Sequence, residues 1–169
     1  ARDIRYERIW QILSRDGFRV GAMNVPCSYP PVEVNGFLIG GMLSPSLESD
    51  FTHPPGLIKD VIAHTGDYII DLRSKHIPRE QMRDELLRST ELRGAAMRHL
   101  LETNDLDFAM MVFTETDRAQ HYFWADMDPN HPAWNPERGA RFGDVIRRVY
   151  EAVDVEIGRL VETVGPDAQ

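Results

Sequence analysis

The stretch that most constrains this chain is residues 107–113, Asp-Phe-Ala-Met-Met-Val-Phe. After the opening Asp107 it has no polar position, so neither face of a strand built from it could tolerate water. Strands of that kind lie inside parallel sheets with both faces covered. Directly behind it comes Thr114-Glu115-Thr116-Asp117-Arg118-Ala119-Gln120-His121-Tyr122-Phe123-Trp124, dense in polar and aromatic groups. In open α/β sheets, ligands collect where strands end and such segments begin.

The rest of the chain supplies the layers such a strand needs. Residues 18–25 and 68–72 read as further strands, with a short one at 37–39. Tyr6, Ile9, Trp10 and Leu13 step at helical spacing, with Gly17 as a stop, and predict a helix over 4–16. A brief helix is expected from Pro55 to about His64, closed by Gly66. A long charged helix is expected over 78–102, and an amphipathic one over 140–164, where Phe142, Val145, Ile146, Val149, Val153 and Ile157 recur at intervals of three and four. Residues 126–139 read as a Pro-rich loop. Strands alternating with helices predict an α/β fold with a mostly parallel sheet and flanking helices. A single partial domain spans 1–169, with an inserted or irregular segment at about 32–55.

Composition narrows the class. A chain of 169 residues, 42% apolar, can bury a core without disulfides or a structural metal. Cys27 is its single cysteine, which excludes a disulfide framework and a thiolate zinc cage. The formal net charge is −8, from 19 basic and 27 acidic residues, which argues against general nucleic-acid binding. No apolar run approaches the ~18 residues of a membrane span, and no leader opens the chain, so a cytoplasmic location is expected.

Asp117 and His121 stand at i and i+4 and would share one helix face, roughly 5–6 Å apart at Cβ. A carboxylate and an imidazole converging there can hold a divalent ion such as zinc. On spacing alone, a hydrogen bond at a helix end is the commoner outcome. Arg118 beside them is either a phosphate-steering charge or a salt-bridge partner. Tyr122, Phe123 and Trp124 could form a stacking shelf, although packing is the plainer reading. Cys27 lies in a Pro-flanked loop without an evident base. His131 reads as solvated, and the charges between Arg79 and Arg98 as a solvated helix face.

The run FTETDRAQHYFW resembles the metal-ligand segment of the type I phosphodiesterase/nucleotide pyrophosphatase family, within the alkaline phosphatase superfamily. A second passage agrees: Gly21-Ala22-Met23-Asn24-Val25-Pro26 with Ser28-Tyr29-Pro30-Pro31, then Val34-Asn35-Gly36-Phe37 and Gly41-Met42-Leu43-Ser44-Pro45. Asp50-Phe51-Thr52 before Pro54-Pro55, and the loop from Asp128-Pro129 to Pro132, continue the likeness.

The resemblance implies part of an alkaline-phosphatase-like three-layer sandwich and a phosphoester or nucleotide-like small-molecule substrate. It also implies two divalent metal ions, zinc with manganese as the alternative. Asp117 and His121 match the family's Asp and His on one metal. Attack by a Thr or Ser hydroxyl and hydrolysis of a covalent intermediate are the implied chemistry. That nucleophile, with an Asp of the other metal, belongs upstream of these residues. An Asp-His pair and a final His belong beyond a strand expected after Pro166. Cys27, Ser28, His53 and His64 match no catalytic position of the family. The expectation is therefore an internal fragment, inactive alone, carrying half of one metal site. Two alternatives remain: a phosphomutase-like relative, or a non-catalytic α/β binding domain. A sulfatase would need a cysteine motif in which Cys27 does not lie.

Overall fold

The computed structural model describes residues 6–72 and 77–168. In chain order its elements are α1 (Ile9–Arg15), β1 (Val20–Val25), β2 (Gly36–Gly40), β3 (Thr52–His53), α2 (Leu57–Thr65), α3 (Arg79–Thr103), β4 (Phe108–Met111), α4 (Glu115–Met127), α5 (Pro136–Phe142) and α6 (Val145–Val164). One sheet of order β3-β2-β1-β4 is parallel except for β3, which runs antiparallel to β2.

Side chains alternate across a strand, and here the alternation separates two layers. Met23, Phe37 and Ile39 point into a cluster with Val61 of α2 and Met97 and Leu100 of α3. Val20, Ala22 and Leu38 point the other way, onto Trp10 of α1. Gly21 is required by this packing, because a Cβ there would lie 2.6 Å from the Phe37 ring. A third cluster joins Met82 and Leu86 of α3 to Ala119, Phe123, Phe142, Val145 and Val149 of α4–α6. Helices thus cover both sheet faces, and α3 has a second apolar side against α6.

The expected helices form, with adjusted ends. α2 closes on Gly66 in the left-handed region at φ 81°, and α3 runs to Thr103 before extended Asn104. Only Ile9–Arg15 of the first expected helix is helical among the described residues, and residues 1–5 lie outside them. The helix expected over 140–164 is two helices, α5 and α6, turning at Gly143-Asp144, and the expected loop 126–139 is shortened from both sides.

Three strand expectations need correction. The first strand starts at Val20, leaving Phe18 exposed. Residues 68–72 form no strand. The carbonyls of Ile69 and Ile70 accept hydrogen bonds from the Arg93 guanidinium, at 3.1 and 3.3 Å, in place of a neighbouring strand. The apolar run 107–113 yields a strand only over Phe108–Met111. It sits at an edge of the sheet, with Ala109 exposed and its other residues half-buried, rather than covered on both faces. Hydropathy reports what a strand can bury, and not how many neighbours it has. Among the described residues no helix is long and apolar enough to cross a membrane.

Candidate functional site

The carboxyl ends of β1 and β4 meet at a turn that launches α4. Val112 N–H donates to the Met23 carbonyl at 3.2 Å, and Asn24 Nδ2 donates to the Val112 carbonyl at 2.9 Å. Thr114 is the N-cap of α4 but makes no side-chain cap hydrogen bond. Its hydroxyl oxygen instead accepts from Arg93 Nη1 at 2.9 Å. Asp117 lies in the first turn of α4, where the unpaired N–H groups favour a carboxylate.

Asp117 and His121 are brought together, with Oδ1 and Nε2 3.3 Å apart, and both are largely exposed. The pair supplies one oxygen and one nitrogen donor on one helix face, a chemistry that suits a divalent ion such as zinc. Two donors fall short of the three that a catalytic zinc site draws from protein. No group of three His, Cys, Asp or Glu side chains able to hold a metal gathers among the described residues.

Arg118 turns toward buried Asp71, donating from Nε at 3.2 Å and from Nη2 at 3.0 and 3.1 Å. Hydrogen bonding to Asp71 raises the Arg118 pKa further above its ordinary value, and burial partly opposes the rise. Its Nη2 also lies 3.1 Å from the Met42 sulfur, and Nη1 remains 3.9 Å from Asp117 Oδ2. The salt bridge is therefore realised, and it ties the segments around Met42 and Asp71 to α4.

The aromatic trio divides. Phe123 is buried against Phe142, with ring centroids 5.9 Å apart; Tyr122 is half-buried and Trp124 exposed. Ser28 is spent on backbone, donating to the Val25 carbonyl at 2.7 Å and accepting from Gly41 N–H at 3.1 Å. Half-buried Cys27 makes no hydrogen bond to a base among the described residues. His53 Nε2 meets the Val34 carbonyl at 3.1 Å, His64 stacks on His99, and His131 Nδ1 accepts from Ala133 N–H.

A buried polar network behind the turn went unforeseen. Arg93 pairs with Glu115 at 3.0 Å, the two side chains 1% and 2% exposed, and Ser89 Oγ donates to the other Glu115 oxygen at 2.5 Å. The 79–98 charges are thus only partly a solvated face. Arg93 is interior, and Arg79 and Arg98 reach the buried carboxylates of Asp126 and Glu156. The one sequence signal was Arg93 at helical spacing from Leu86, Leu100 and Met97, which sits on the apolar stripe of α3.

No curated protein and no solved structure gives a match. A family profile described as type I phosphodiesterase/nucleotide pyrophosphatase matches residues 2–168, nearly the whole length. The mixed α/β architecture, with its mostly parallel sheet and flanking helices, is consistent with the alkaline-phosphatase-like fold expected of such a chain. Matched over nearly its whole length and with a consistent fold, the chain belongs to the type I phosphodiesterase/nucleotide pyrophosphatase family.

Proposed function

We propose that this chain carries one Asp/His half of the two-metal site of a phosphodiesterase or nucleotide pyrophosphatase, with Asp117 and His121 as ligands of one divalent ion. Family membership supports a phosphohydrolase function. The observation that carries the finer reading is the convergence of these two side chains, 3.3 Å apart, in the first turns past β4. When bound, the ions would supply charge neutralisation for the phosphoryl oxygens and the leaving oxygen.

The chain's own residues prepare the place for that chemistry. Asp117 offers a carboxylate and His121 an imidazole nitrogen from one face of α4. Asp71 holds the Arg118 guanidinium beside them. The nucleophile and the ligands of the other ion come, on this reading, from outside the 169 residues. The substrate would be a small phosphoester or a nucleotide-like diester, and the ion zinc or manganese.

The test is a titration of the chain with Mn²⁺, followed by nuclear magnetic resonance. Selective broadening of Asp117 and His121 signals is expected, with weak affinity, and Asp117→Ala should abolish it. Broadening indifferent to that substitution would remove the assignment. The isolated chain should not hydrolyse bis(p-nitrophenyl) phosphate with added zinc or manganese. Turnover lost in Asp117→Ala would show a complete site within these residues.

A further inference from the structure

We propose that Arg93 is a positioning residue, whose buried guanidinium pins the β4–α4 turn to the 69–71 segment and so sets the orientation of Asp117 and His121. The inference rests on the proposed role of those two side chains.

Arg93 reaches out from the middle of α3 into the gap between two stretches of irregular backbone. On one side Nη1 donates to the Val112 carbonyl at 3.2 Å, Thr114 Oγ1 at 2.9 Å and Glu115 Oε2 at 3.0 Å. On the other, Nη2 donates to the carbonyls of Ile69 and Ile70 at 3.1 and 3.3 Å. All the turn-side acceptors lie within five residues before Asp117, and Ile70 directly precedes Asp71, the holder of Arg118. One planar group therefore spaces both walls around the Asp117 turn. A planar fork of fixed donors can do this, whereas the point charge of a lysine cannot.

Two further observations favour positioning over bulk stability. The N-cap Thr114 makes no cap bond of its own, so the start of α4 depends on contacts from outside the helix. A buried ion pair is also weak evidence of stabilisation, since its desolvation cost commonly offsets its attraction. Arg98, on the same helix and less deeply buried, pairs with buried Glu156 and makes no contact with the turn, and it serves as an internal control.

The experiment compares Arg93→Lys, the milder Thr114→Val and the control Arg98→Met, all in the full chain. Folding is checked by circular dichroism. Two signals are then read: Mn²⁺ broadening at His121, and the metal-free three-bond couplings that report χ1 of Asp117 and His121. Arg93→Lys should weaken Mn²⁺ binding about tenfold, the scale of losses behind first ligands, and turn single-rotamer couplings into averaged ones. Thr114→Val should move both in the same direction by less, and it decides the matter if Arg93→Lys does not fold. Arg98→Met should change neither. Unchanged couplings in a folded Arg93→Lys or Thr114→Val chain would overturn the proposal, as would equal effects from Arg98→Met. If Asp117→Ala leaves Mn²⁺ broadening intact, the metal reading fails, and the couplings still decide the positioning role.

Discussion

Tyr68 places its hydroxyl in the core with no hydrogen-bond partner among the described residues. Burial pushes its pKa up to about 12; the Arg93 charge pulls against that rise and the Glu115 charge adds to it. A phenol that ionises later when folded than when unfolded leaves stability intact below its ordinary value near 10. Stability is then lost as pH climbs from there through about 12. Tyrosinate absorbance should therefore show one ring resisting ionisation until the chain unfolds. Tyr68→Phe should remove that alkaline loss. It should also leave stability at neutral pH unchanged or improve it by about 1 kcal/mol, since an unpaired buried hydroxyl is a cost. A fall of several kcal/mol in urea unfolding would show that the hydroxyl has a partner. Such isolated polar groups leave no trace in a sequence. The proximity of Asp117 and His121 was legible because their spacing is local, whereas Arg93 and Glu115, 22 residues apart, meet only through the tertiary fold.

At the scale of elements, the α3–α6 contact turns on one small residue. A Cβ at Gly94 would lie 1.9 Å from Glu156 Oε2. That carboxylate is buried and held by Arg98 and by Arg159, the latter at 2.6 Å, so it has little room to yield. Gly94→Ala should raise local helix propensity yet destabilise the chain by about 1–3 kcal/mol through overpacking. A thermal midpoint at or above the parent's would show the interface to be slack. The elements themselves were largely readable. Gly66 ends α2 and extended Asn104 ends α3 as their residue types suggest. The break between α5 and α6 was hidden because Phe142, Val145 and Ile146 keep the apolar period across Gly143. Residues 68–72 have strand-like composition, yet the carbonyls of Ile69 and Ile70 accept from the Arg93 guanidinium, a partner that composition does not reveal.

At the scale of the whole molecule, β4 pairs on its β1 side only among the described residues and presents Ala109 at the open edge. An open apolar edge is a template for a second chain, and the net charge of −8 opposes the encounter. Sedimentation velocity of this 169-residue chain should show association that grows with concentration and with added salt, which screens the repulsion. Ala109→Lys should suppress it, and a monomer indifferent to salt would refute the edge as its cause. Besides the layer between the sheet and α1, the molecule has two interiors, one between the sheet and α2–α3 and one among α3–α6. Both take a wall from α3: Met97 and Leu100 face the first, Met82 and Leu86 the second. A shared wall makes the two interiors thermodynamically indivisible. Neither should melt by itself without stripping the other, so one cooperative transition is expected of the pair although its apolar contacts fall into separate pools.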